Sequence, residues 1–201
     1  MKRKRTTALK RFIGDNRRLL LFLLLPTLGC VCGLLLYVGV RTSAWAAWLP
    51  IRPIPAGVGP VFSQFFSSCF QPLVLLAILF TAGLSACGAP IVLAVPVFWG
   101  IGFGLTQACC YADGWFGAAV AAVVLLPHSV MEAVALLMGA SEGLRMSLRF
   151  ATSLLPRSAH CGGLWQEFRL YALRFAVLLL ILLGAGALDV GMRLVCSNWL
   201  R

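Results

Sequence analysis

The sequence predicts an all-α, polytopic membrane bundle of about five transmembrane helices. Three observations predict it. First, 61% of the 201 residues are hydrophobic and the mean hydropathy is +0.94, whereas soluble domains are about 45–50% apolar. Second, the excess comes in blocks, and a helical block of ~20 apolar residues crosses the hydrocarbon core. A helix satisfies its own backbone groups, which lipid does not do. Third, positive charge flanks the blocks and leaves their interiors nearly free of it.

Residues 1–18 form a basic cytoplasmic tail with Lys2, Arg3, Lys4, Arg5, Lys10, Arg11, Arg17 and Arg18. The rest, 19–201, reads as one transmembrane domain. Its first span is 19–40, "LLLFLLLPTLGCVCGLLLYVGV", with Pro26 as a kink site. An "AWA" at 44–46 resembles a signal cleavage site. The apolar block exceeds the ~7–15 residues of a signal peptide's core, so an uncleaved anchor is expected. Trp45 and Trp48 follow and suit an interfacial belt.

The second span is 61–86. Its opening, "VFSQFFSSCFQ", has Phe62, Phe65, Phe66, Cys69 and Phe70 on one helical face and serines on the other. That pattern fits a helix lying in the outer interface or the wet end of the second span. The sequence favours the wet end, with Pro72 as a kink. "CGAP" at 87–90 stops the span at Gly88 and forces a tight antiparallel turn. The third span is 90–111 and the fourth 116–140. A polar loop of about thirty residues and a fifth span, 171–188, complete the set.

The net charge of +11 raises nucleic-acid binding as a question. The distribution answers it, because the basic residues flank spans and meet lipid headgroups. The tail and Arg145, Arg149, Arg157 and Arg169 fall on one side of the membrane. Arg41, Arg52, Arg193 and Arg201 fall on the other. The imbalance places the N-terminus inside and the C-terminus outside.

Small residues recur at helix-packing intervals: Gly100 and Gly104 in span three, Gly117 and Ala121 in span four. They let backbones approach closely in lipid; a glycine-lined path is the alternative. The eight cysteines show no zinc spacing, and no metal or cofactor is expected. Cys69, Cys109, Cys110 and Cys196 fall near one membrane face, which leaves a disulfide open.

The chemistry concentrates in "LLPHSVMEAVALLMG", 125–139. His128 and Glu132 are i, i+4 and share a helix face. Pro127 frees the carbonyl of Val123, which His128 or a water would satisfy. Burying unpartnered polar groups costs at least ~1–3 kcal/mol each. Two readings stand: a structural clasp, with His128 hydrogen-bonded to Glu132 and Glu132 also reaching Arg174 or a backbone group of another span, and a proton- or ion-handling site. No "HExxH" array, nucleophile elbow, Walker loop or strand-following "GxGxxG" is present, so no enzyme activity is expected.

The stretches "AGLSACGAPIVLAVPVFWGIGFGLTQ" (82–107) and "GWFGAAVAAVVLLPHSVMEAVALLMGASEGLRMS" (114–147) resemble the stage II sporulation protein M family. The resemblance rests on Pro127, His128, Glu132, Gly139 and Ala140, with the basic tail, five spans and long last loop around them. Trp99 departs from the polar residue many members carry before the span-three glycine, and Ser129 from the glycine that often follows the histidine. The resemblance implies a non-enzymatic scaffold in the bacterial cell membrane during endospore engulfment. It would anchor sporulation proteins D and P, which remodel peptidoglycan. Trp45, Trp48, Phe62 and Phe66 are the expected docking residues, membrane lipid the surrounding partner, and nucleic acid no partner. The alternative is a transporter or permease-like subunit using Glu132 and His128.

Overall fold

The computed structural model describes residues 17–40, 61–112, 114–153 and 164–199. All of the regular structure among them is helical. Helix α1 is Arg17–Val40, α2 is Val61–Gly83 and α3 is Ala89–Ala112. A short α4, Gly114–Val120, passes through one wide π turn, Ala121–Leu125, into α5, Leu126–Ser153. Helix α6 is Leu164–Trp199. Four stretches are long and apolar enough to cross a membrane: Phe65–Gly83, Ala89–Ala112, Ala122–Thr152 and Trp165–Val195. The chain is a multi-pass helical membrane bundle.

Helices α2, α3, α5 and α6 surround a core built from Leu75, Leu79, Val92, Ala135, Leu136 and Leu182. Towards the 84–88 turn the core becomes aromatic. The Tyr171 ring stacks on Phe80 at 5.3 Å and lies 4.6 Å from Phe175. Its hydroxyl donates to the carbonyls of Phe80 (3.1 Å) and Leu79 (3.4 Å). Ser147, fully buried on α5, donates to the Ser85 carbonyl at 2.8 Å. That bond fixes the far part of α5 at the level of the α2–α3 turn. Arg145, Arg149 and Arg174 gather at the same end, which marks it as the inner face.

Helix α1 lies outside the four-helix core, along α3. Gly29 and Gly33 face Val97, Gly100, Ile101 and Gly104, and these two glycines of α3 face Pro26 and Cys30. Residue numbers rise together on both helices, so α1 runs parallel to α3 and starts at the inner end. A Cβ at any of these four glycines would collide with the facing backbone. Both helices carry the small-xxx-small spacing that permits this contact in lipid. Gly100 and Gly104 therefore pack, as the first of the two sequence readings has it, and Gly88 closes against the Ala82 backbone in the turn. Gly117 falls in α4, and its packing lies outside the described residues.

Two boundaries differ from the sequence expectation. Span four does not end at 140; α5 continues to Ser153. Span five does not stop at 188; α6 covers 36 residues from Leu164 to Trp199. The expected thirty-residue loop is thus largely helix, because its charges pair across helices and leave the backbone bonded within them. Pro72 sits inside α2 without ending it, so the 61–71 segment is the start of span two.

Candidate functional site

The π turn determines where the polar residues of α5 point. It lies just before Pro127, a position that removes one helical hydrogen bond, and wide turns of this kind mark such defects. His128 Nδ1 sits 3.1 Å from the carbonyl of Val124, not of Val123 as the sequence suggested. Both atoms near Nδ1 are acceptors, so Nδ1 carries a proton and donates.

The second acceptor is Asp189 Oδ1, at 3.4 Å. Asp189 belongs to α6 and is fully buried, as is His128 to within 1%. The Asp189 carboxylate also accepts from the Ser68 hydroxyl of α2. Arg193, one turn further along α6, donates its Nε–H to both carboxylate oxygens at 3.0 Å. Gly186, three residues before, lies against the Cys69 sulfur, where a side chain would separate α6 from α2. Asp189 is thereby held by three helices.

Glu132, 3% exposed, accepts from the Trp99 indole N–H of α3 at 3.3 Å. Trp99 in turn stacks on Phe103, with ring centroids 5.4 Å apart. The tryptophan that departs from the family pattern is itself the donor here. With Glu132 and His128 on α5, Asp189 on α6, Ser68 on α2 and Trp99 on α3, the site draws on all four core helices. A cavity of about 30 Å³ lies beside it, lined by Gln71, Trp99, Thr106, His128, Ser129 and Glu132 among others. That is room for about one water.

Depth follows from helical rise. Ser68 lies fifteen residues before Gly83, and Asp189 fifteen after Arg174, roughly 22 Å from the inner end in both cases. In a hydrocarbon core ~30 Å thick the site sits in the outer half. Arg193 supplies the cation that faces the Asp189 carboxylate, and paired, hydrogen-bonded charges are the form in which ionisable groups survive in low dielectric.

Of the four expected clasp residues, Pro127, His128 and Glu132 lie together here, and Arg174 does not. Arg174 pairs with Glu142, roughly 15 Å along α5 from Glu132. Because α5 and α6 extend as helices beyond the membrane, Arg174 meets a carboxylate at its own level. The cation of the site is Arg193. Asp189 was missed because the predicted span ended one residue before it. The signal was present: "GALDVGMR" carries Asp and Arg at i, i+4 inside an apolar run.

Of the expected docking residues, Phe62 and Phe66 are 73% and 58% exposed, and their rings lie 4.9 Å apart at the outer end of α2. Ser68 turns inward to Asp189, while Phe62, Phe66 and Phe70 look outward. Trp45 and Trp48 lie outside the described residues. Cys30, Cys32 and Cys87 are free thiols. No His/Cys/Asp/Glu group with metal-site geometry occurs among the described residues.

The fold and the site together define a helical membrane protein closed by a buried charge network. No family model matches the chain, and neither a curated protein nor a solved structure resembles it.

Proposed function

We propose that the protein is a non-enzymatic scaffold of the bacterial cell membrane. Its core is held rigid by the Asp189 network, and its outer aromatic face is left for partner proteins. One observation carries this reading: the fully buried Asp189 carboxylate is spent on an ion pair and hydrogen bonds that join α2, α5 and α6. A carboxylate with Ser68, His128 and Arg193 as donors is saturated, which suits a fixed joint. The exposed Phe62 and Phe66 at the outer end offer the kind of aromatic surface enriched in protein contacts. The resemblance to the sporulation protein M family supplies the context, recruitment of peptidoglycan-remodelling proteins during engulfment, with sporulation proteins D and P as the partners to test.

The test is crosslinking and co-purification from the native membrane. A peptidoglycan hydrolase should be recovered with the wild-type chain and lost with Phe62→Ala/Phe66→Ala, while the variant still inserts. Full recovery after replacing the whole 41–71 segment would count against docking there.

A second reading, a transporter or permease-like subunit, draws on the polar cavity beside Glu132 and His128. It requires solute or proton flux in vesicles that Glu132→Gln removes. A demonstrated flux untouched by that substitution would eliminate the mechanism.

A further inference from the structure

We propose that a cleft between α5 and α6 at the inner face binds the phosphate-bearing headgroup of an anionic lipid. The cleft has a volume of about 200 Å³ and is lined by Glu142, Arg145, Arg149, Glu167, Leu170 and Arg174, with Met146 and Tyr171 at its base. Three guanidiniums face two carboxylates, so the cleft keeps a positive surplus. The pairing shows where that surplus lies. Arg149 pairs with Glu167, and Arg174 pairs with Glu142. Arg145 reaches the same Glu142 only at 3.4 Å and stays 57% exposed. Its guanidinium is the least engaged of the three, and guanidinium forks bind phosphate in a bidentate manner.

Depth points to a lipid as the source of that phosphate. The Ser147–Ser85 bond holds this part of α5 level with the α2–α3 turn, where headgroups lie. Trp165, 76% exposed on α6, stands at the same end, as interfacial tryptophans do. From the cleft, exposed Leu170, Leu173, Val177 and Leu180 run down one face of α6 into the membrane. Their i, i+3, i+7, i+10 spacing gives acyl chains a continuous apolar track beginning at the headgroup site. Basic pockets between helices on the cytoplasmic side are a general solution for anionic lipids.

The experiment uses the full chain purified in uncharged detergent. It is titrated with phosphatidylglycerol, phosphatidylcholine of the same acyl chains, or inorganic phosphate, and read by thermal shift and by lipid retained in native mass spectra. Phosphatidylglycerol should bind saturably and raise Tm, and phosphatidylcholine should not. Arg145→Gln should weaken phosphatidylglycerol binding at least about fivefold. Arg169→Gln, which removes a charge at the same face outside the cleft, should leave it unchanged. Equal weakening by both substitutions would reduce the effect to general surface charge and overturn the site, as would equal binding of the two lipids. Displacement of phosphatidylglycerol by low-millimolar inorganic phosphate would overturn the lipid assignment. If Arg145→Gln misfolds, wild-type titrations decide: affinity should fall as ionic strength rises, and salt-independent binding would sink the proposal.

Discussion

Two clusters in this molecule use the same side-chain chemistry and reach opposite states. Near the outer side, Asp189 and Arg193 pair within hydrocarbon depth at 0% and 14% side-chain exposure. At the inner face, Glu142 and Arg174 pair at 21% and 48%. The outer pair is closed by Ser68 and His128; the inner pair shares its carboxylate with a third group, Arg145. The difference teaches what burial does to an ion pair. In the interior each charge must be matched because water cannot help, so removing one partner costs about 3–5 kcal/mol. At the surface, water replaces a lost partner and the median cost is about 0–1 kcal/mol.

The sharpest way to break the comparison is Arg193→Ala. It leaves Asp189 fully buried without its cation and should destabilise the bundle by about 3–5 kcal/mol, read by unfolding in mixed detergent micelles. Adding Asp189→Asn should recover much of the loss, because the uncompensated charge is then gone. An Arg193→Ala cost below about 1 kcal/mol would mean the outer pair behaves like a surface pair.

The next effect concerns the peripheral helix. Gly104→Ile puts a branched side chain where the Cys30 backbone lies. Overpacking of this kind costs about 1–3 kcal/mol. Here relief is available, since α1 rests on α3 and not inside the core. The expected outcome is an α1 that detaches while α2, α3, α5 and α6 stay assembled. Protease access or crosslinking between cysteines placed on α1 and α3 reads it directly. Collapse of the entire bundle would show instead that α1 is integral to it.

How much of this was legible in the sequence divides along the same line. The all-α membrane fold was, because hydropathy blocks and turn residues act locally. So were His128 and Glu132, since two ionisable residues one turn apart in an apolar run stand out. The partner of His128 was not. Asp189 lies 61 positions away on α6, and the packing of α6 against α5 brings it there. The Arg174 assignment failed for a geometric reason: charged residues after 140 read as loop, whereas i, i+3 and inter-helix pairs keep them helical. His128 meets the Val124 carbonyl four residues before it, where the sequence had pointed to Val123.

Trp99→Phe tests the intermediate case. It keeps a ring to stack on Phe103 and deletes an indole N–H that reaches Glu132. A hydrogen bond to a charged group contributes about 1.5–3 kcal/mol in water-soluble proteins. Inter-helical hydrogen bonds within membranes average ~0.6 kcal/mol, because the unfolded helices find other partners. The expected loss is therefore about 1 kcal/mol, below Arg193→Ala and above any inner-face change. A loss equal to that of Arg193→Ala would place Glu132, and not Asp189, at the centre of the network.

Glu142→Gln should have the smallest effect on stability, about 0–1 kcal/mol, and the most instructive sign. The substitution removes the carboxylate that Arg174 and Arg145 share, so three guanidiniums then face Glu167 alone. Without lipid, their mutual repulsion should lower Tm slightly, and added salt should restore it by screening. In phosphatidylglycerol the sign should reverse: a more positive cleft binds the anion more tightly, and a ligand bound only by the folded state raises its stability. Tm measured in neutral detergent with and without phosphatidylglycerol separates the two. A drop in both conditions would mean that Glu142 serves α5–α6 packing, and the two clusters would then differ in depth alone.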